Sequence, residues 1–399
     1  NISRFSNAKP TLKTSKSSNQ WECVGPWDFD KDAASRSYAP GAAHVYTVEQ
    51  SVSNPNVLYA GSATAGAWKT IDKGANWNLI TRDLALNGVY AIEIDFTNPE
   101  IIYISGNGGI YKSNDGGGNS TIIGDATFTN LSHSTKDIKL KPTNNMELFV
   151  ASDEGLYNSL DGGLNFSQVM SGEFLEIEFH PSNPNTMYFV KQAGDSTLFY
   201  RSDDGGNTLT NFTNGWPNPN SVGGEQKRTE IAVSPASPDK IVALATGSAN
   251  GGSGLYGIYI SDDKGENWTF QCCGPQPAGV PSATNINMMG WQPDGSDDGG
   301  QYYYDLALAV NPSDADIIHV GGVNHWISFD NGVSFTCPAK WSEPHKKGYV
   351  HADIHTIVFH PNYLTYPAMY IGCDGGVFKS ENGGQRFYAV NRNYNVTQT

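Results

Sequence analysis

The chain has 399 residues, 44 of them Gly and 21 Pro, with 12% aromatic residues and a formal net charge of −15 at neutral pH. So acidic a chain offers no basic patch for nucleic acid or for an anionic membrane surface, and it contains no apolar run long enough to span a bilayer. Many short apolar runs separated by Gly-rich turns predict an all-β protein.

Residues 1–20 (NISRFSNAKPTLKTSKSSNQ) are polar, rich in Ser and Lys, and almost without large apolar side chains. They predict a flexible N-terminal arm. No signal peptide is visible, so a secreted protein would be present here in its mature form. Gln20–Pro26 then reads as a strand. From there a unit repeats. An alternating strand A runs into a Pro/Asn turn, an apolar strand B follows, and a variable loop leads to strand C. The turns are Ser53-Asn-Pro-Asn56, Thr97-Asn-Pro-Glu100, Pro142-Thr-Asn-Asn145, Ser182-Asn-Pro-Asn185, Ala236-Ser-Pro-Asp239, Ser313-Asp-Ala-Asp316 and a longer one over 362–367. Pro and Asn suit these positions because they pre-set turn dihedrals.

Strand C ends each time in Ser/Thr-x-Asp-x-Gly-x-x-Trp/Phe. Ser261-Asp-Asp-Lys-Gly-Glu-Asn-Trp268 is the clearest copy, and the copies at Thr70, Ser159 and Ser328 share all its features. Those starting at Ser113 and Ser202 lack the aromatic, and in the copy at Ser380 an Asn replaces the Asp. The seven polar anchors are Asp72, Asp115, Asp161, Asp204, Asp263, Asp330 and Asn382. A carboxylate here can accept backbone N–H groups and lock a tight turn, and the Gly takes a backbone angle closed to other residues. One chain does not need seven active sites, so the motif is structural. Its spacing predicts a single β-propeller over 21–399, with seven four-stranded blades stacked to bury their faces.

In such a blade the A–B and C–D turns share one face of the disc, and the B–C and D–A loops share the other. Both repeated turns fall on the first face. The long insertions, 28–43, 214–228, 246–256, 272–301 and 337–350, fall on the second. Any ligand site is expected there, since binding residues gather on long loops held by a rigid scaffold.

Three groups of residues on that face could carry chemistry. His351-Ala-Asp-Ile-His355 opens strand A of the seventh blade, where a two-residue period would line up His351, Asp353 and His355. Gly372-Cys-Asp-Gly-Gly376 would bring Asp374 beside them. Two imidazoles and two carboxylates suit Zn²⁺, Mn²⁺ or Fe. The same groups could act in acid/base chemistry, or form a hydrogen-bonded network tying strand A to its neighbour, which is the expectation. Tyr302-Tyr-Tyr-Asp305 opens strand A of the sixth blade, and Asn324-His-Trp326 reads as its B–C loop. Tyr302, Tyr304, His325 and Trp326 are therefore candidate binding residues together with His351 and His355, as flat apolar faces and a few polar groups suit a sugar or peptide groove; the alternative, and the expectation, is aromatic packing that closes the loops. His351, Asp353, His355 and Asp374 are expected to converge with Tyr304, Asp305 and His325 near the channel mouth. In the 272–301 loop, Asp294, Asp297 and Asp298 make Ca²⁺ a further cofactor candidate. Of five cysteines, Cys272, Cys273 and Cys337 could supply one disulfide. The alternative is that they are buried small hydrophobes.

The repeated turn resembles the Asp-box (BNR-type) repeat of sialidases, sortilin-type receptors and two-propeller xyloglucanases, which implies a β-propeller and says little about function. The segments around Tyr302–Asp305, Val320-Gly-Gly-Val-Asn324, His351–His355 and Gly372–Gly376 look like a subgroup of Bacteroidetes Asp-box proteins, often exported by type IX secretion and often labelled glycosyl hydrolases. That resemblance implies a secreted or cell-surface bacterial protein and further chain beyond residues 391–398. Two functions follow from it: a binding or scaffold module for an extracellular glycan or polypeptide, or a glycoside hydrolase. Asp305, Asp353 and Asp374 are the candidate catalytic carboxylates. The early Arg-Ile-Pro-type segment of sialidases is absent, which argues against that activity.

Overall fold

The computed structural model describes residues 41 and 43–394, except 85, 87, 107, 125–127, 129–133, 220–223 and 275–279. The arm predicted over 1–20 and the strand at Gln20–Pro26 lie outside the described residues. Seven four-stranded antiparallel sheets are formed, each with its strands in chain order from one edge to the other. The first strand of each sheet packs against the first strands of the two neighbouring sheets. These innermost strands are Val45–Gln50, Val89–Ile94, Thr135–Lys141, Phe174–Phe179, Glu225–Ser234, Ala307–Val310 and Ile354–Phe359. The result is the seven-bladed β-propeller expected from the repeat. No helix among the described residues is long and apolar enough to cross a membrane.

Strand B of each blade carries the most apolar run, and it lies between A and C. Ile102–Gly106, for example, is buried at every position, and its Ile102 and Ile104 pair across the ladder with Ile94 and Ile92. With both sheet faces covered by neighbouring blades, such a strand has no need to alternate. The core is accordingly divided into clusters between blades. One joins Leu58, Trp68 and Trp77 of the first blade to Tyr370 and Val377 of the last. The ring closes there: Trp77 donates its backbone N–H to the Arg392 carbonyl at 3.0 Å and its indole N–H to the Val390 carbonyl at 2.7 Å.

The repeated turn is built as its residues imply. Asp263 Oδ1 accepts from Ser261 Oγ at 2.7 Å and from the Asn267 backbone N–H at 2.9 Å, while Oδ2 accepts from the Asn267 side chain at 2.6 Å. Gly265 sits at φ +84° and donates its N–H to Ser261 Oγ at 2.8 Å. The turn also holds the A–B turn of its own blade, through Lys264 N–H to the Asp239 carbonyl at 2.9 Å. The equivalent bond is found in every blade, for example Lys73 to Asn56, Asn331 to Asp316 and Gly383 to Pro367. Both families of turns therefore share one face, which leaves the long loops to the other.

Candidate functional site

The channel mouth on the loop face is shaped by a repeated irregularity. In the first blade Val45 pairs with Ser62 and Thr47 with Gly61, so Tyr46 is an extra residue with no partner in the ladder. The same bulge makes Tyr90, Lys136, Leu175, Lys227 and His355 the extra residue of the A–B ladder in five other blades. A bulge turns its extra side chain out of the pleat, and all six line one funnel of about 570 Å³. The A–B ladder of the sixth blade has no such bulge, and Tyr304, from the segment leading into its first strand, takes the corresponding place. Deeper in the channel, Glu49, Asp137, Lys139, Glu176, Glu178 and Glu230 line a cavity of about 330 Å³. Burial, opposed by Lys139, pushes Glu49 and Glu178 up to about 7.

Asp374 is the hub of the funnel wall. His355 Nε2 lies 2.8 Å from its Oδ1 and His44 Nε2 lies 2.6 Å from the same atom. Tyr304 donates its hydroxyl to the two carboxylate oxygens at 3.2 and 3.1 Å and also meets His44 Nε2. The Tyr304 ring stands edge-on to His355, with centroids 4.9 Å apart, and the Tyr46 ring does the same at 4.8 Å. Burial raises the Asp374 carboxyl, but hydrogen bonding and positive potential from His355 and His44 outweigh it and hold the group at about 2. Burial lowers His355 in spite of Asp374.

A second opening, a cleft of about 240 Å³, adjoins this hub. It is lined by Trp291, Trp341 and Tyr349, with Gln301, His351, Asp353 and Asp374. Trp291 and Trp341 are tied together by a bond from the Trp341 indole N–H to the Trp291 carbonyl at 2.9 Å. Gln301 donates to Asp353 at 3.0 Å. Burial, reinforced by the charge of Asp374, raises Asp353 to about 6. Asp305 is 1% exposed with neither oxygen hydrogen-bonded, and burial together with the charge of Asp353 raises it to about 9.

The sequence-based expectations meet this geometry unevenly. His355, Asp374 and Tyr304 come together, and His351 and Asp353 line the adjoining cleft. The two-residue period assumed for His351, Asp353 and His355 does not hold. Strand A begins only at Ile354, Asp353 has φ +64°, and His355 is the bulge residue. His325 and Trp326 are corrected more sharply. They belong to strand C, His325–Ser328, and are 0% and 2% exposed. His325 faces His319 at 3.0 Å and Phe387, away from the hub. Tyr302 packs against the core cluster between the fifth and sixth blades. In the loop offered as a calcium candidate each carboxylate accepts from separate backbone N–H groups: Asp294 from Ser296, Asp297 from Trp291 and Gln292, and Asp298 from Ser253 and Gly299. They cap turns and do not point at a common centre. Among the described residues a disulfide joins Cys272 to Cys273, and Cys337 and Cys373 are thiols. His44 was missed altogether. It carries no repeat signature, and its one signal was its place just before an innermost strand, as for Tyr304.

No protein-family model matches the sequence, and no curated protein matches it. Solved structures do. The GH74 xyloglucanase from Xanthomonas campestris superposes with a TM-score of 0.64 at 16% identity, over 90% of this chain and 56% of that one. The GH74 enzyme of Niastella koreensis gives 0.62 at 16% identity, over 90% and 55%. This chain thus spans about half the length of the GH74 proteins it matches. YCF48 bound to D1 peptide gives 0.55 at 17% identity, over 86% of this chain and 94% of that one. At these identities the likeness shows the fold alone: the chain is a β-propeller similar in architecture to GH74 enzymes and to YCF48.

Proposed function

We propose that this protein is a secreted or cell-surface binding propeller that takes an extracellular glycan on its loop face, in the cleft between Trp291 and Trp341. The carrying observation is that cleft: two indoles and Tyr349 beside Gln301, Asp353 and Asp374. Flat apolar faces flanked by a few fixed polar groups are what a sugar ring needs, because its C–H face stacks while its hydroxyls bond. Trp291 is 44% exposed, open enough to be a platform. The Cys272–Cys273 disulfide fits an oxidising compartment, and a net charge of −15 makes nucleic acid a poor partner.

The hydrolase reading is the weaker one. Retention or inversion sets two carboxyls about 5–10 Å apart across the scissile bond. Asp353 and Asp374 instead share one wall of the cleft, where the Asp374 N–H reaches the Asp353 carbonyl at 3.3 Å. Asp305 is buried out of a substrate's reach. The GH74 neighbours favour a saccharide and the D1-bound neighbour a polypeptide. A glycan array, a peptide array and a hydrolysis screen on the purified chain separate these. The expected result is glycan retention that Trp291→Ala abolishes at unchanged melting temperature. Retention of peptide alone, or release of new reducing ends, would replace this reading.

A further inference from the structure

The hub around Asp374 shares that carboxylate with the cleft but has a donor set of its own. His44, from the segment leading into the first blade, meets His355 and Asp374 of the seventh and Tyr304 of the sixth. Four groups from three blades converge on one point at the channel mouth. One ligand atom from each of His44, His355 and Asp374 lies within 4.8 Å of the other two. Both imidazoles present Nε2 to the same carboxylate oxygen, at 2.6 and 2.8 Å.

We propose that His44, His355 and Asp374, with Tyr304 as a fourth donor, bind a single divalent transition cation of the zinc class. Two imidazoles and a carboxylate are a donor set common to Zn²⁺ and its neighbours, and a phenol oxygen or water completes four-coordination. Donors about 2.0–2.2 Å from a tetrahedral ion stand roughly 3.4 Å from one another. The separations from Asp374 Oδ1, 2.8 Å for His355 and 2.6 Å for His44, are shorter than this by roughly 0.6–0.8 Å, so the side chains draw apart by about that much to admit the ion. The donors are well anchored: the side chains of His44 and His355 are 11% and 5% exposed, and Tyr46 and Tyr304 brace the His355 ring edge-on. A preformed, rigid donor set loses little entropy when an ion binds. Access exists from two sides, because Tyr304 and His355 line the funnel and Asp374 lines the cleft. Sequence reasoning had set His351 and Asp353 in this role. The geometry gives it to His44 and Tyr304.

The test uses the full chain stripped with a chelator and dialysed, without any glycan. Zn²⁺ is titrated by calorimetry, Co²⁺ by its visible ligand-field absorption, and thermal unfolding is followed with and without each metal. The expected result is one equivalent bound, a raised melting temperature, and a Co²⁺ spectrum of nitrogen and oxygen ligands without thiolate charge transfer. His44→Gln and Asp374→Asn should each abolish binding, and Tyr304→Phe should weaken it. In the unaltered protein Zn²⁺ should also protect His44 and His355, mapped by mass spectrometry, from diethylpyrocarbonate. That arm stands even if a variant fails to fold. No saturable binding, binding unchanged in folded His44→Gln and Asp374→Asn, or protection confined to other histidines would overturn the proposal. None of these outcomes depends on what occupies the cleft.

Discussion

Gly265 performs two tasks in one position, and they can be separated by comparison with Gly332. Both occupy the same place in the repeated turn, at φ +84° and +77°. An alanine at either site meets the same left-handed backbone penalty, about 1–2 kcal/mol. Their surroundings differ. A Cβ on Gly265 would overlap Cε1 and Cζ of Phe199 in the preceding blade. Phe199 is fully buried, packed against both Trp216 and Trp268 with ring centroids 5.3 and 5.0 Å away. It has nowhere to move without displacing an indole, so overpacking adds about 1–3 kcal/mol. A Cβ on Gly332 would stand 3.3 Å from Ile258 Cγ2 and Ile318 Cδ1, a tight contact that aliphatic groups can relieve. Gly265→Ala should therefore cost about 2–5 kcal/mol in total and Gly332→Ala about 1–2 kcal/mol. Guanidinium unfolding followed by tryptophan fluorescence gives both midpoints under one condition. Adding Phe199→Leu should make the Gly265→Ala loss less than additive, because the two side chains compete for one space. Equal losses at the two glycines, or strict additivity with Phe199→Leu, would refute the inter-blade contact as the source of the difference.

Asp263→Ala removes the acceptor for Ser261 Oγ and for the Asn267 backbone and side chain, at a cost of about 1–2 kcal/mol because water can reach those donors. Asn382→Ala should cost less in the same titration, since its neutral oxygen accepts from Ser380 Oγ and the Arg386 N–H only and a neutral acceptor is the weaker partner. The channel acids give a pH dependence of defined sign. Burial raises Glu178 to about 7 from an ordinary 4.5, so the unfolded chain gives up that proton first. The contribution is complete below about pH 4.5 and is lost as pH rises through 7. Relative to Glu178→Gln, the unaltered protein should lose on the order of 1–3 kcal/mol across that window; stability that rises with pH relative to the variant would contradict the burial of that carboxyl.

The blades and their turns were legible in the chain because every interaction that makes them is local. Ser261, Asp263, Gly265 and Asn267 close their turn within seven residues, and the apolar strand B declares its burial by composition. The face on which the long loops gather followed from strand order alone, since an antiparallel blade must alternate its connections. The candidate hub was legible only in part. Asp374 and Tyr304 could be placed by counting strands, but the period that was to align His351, Asp353 and His355 ends at a bulge, and a bulge has no residue signature of its own. His325 and Trp326 were misplaced for a related reason: a shift of two residues in the start of a strand moves a side chain from loop to core.

Sequence by itself therefore determined the all-β repeat, the turn that punctuates it and the side of the disc where the long loops gather, because hydrogen bonds between near neighbours need no knowledge of the rest of the chain. Tertiary structure decided which side chains meet at the channel mouth. Tyr304 and His44 stand 260 residues apart. They touch only because seven blades close a ring and set the first beside the last. Ring closure fixes the angle of each blade, and the bulges fix the aim of each mouth residue. Both are set by packing between blades, where long-range contact outweighs local preference.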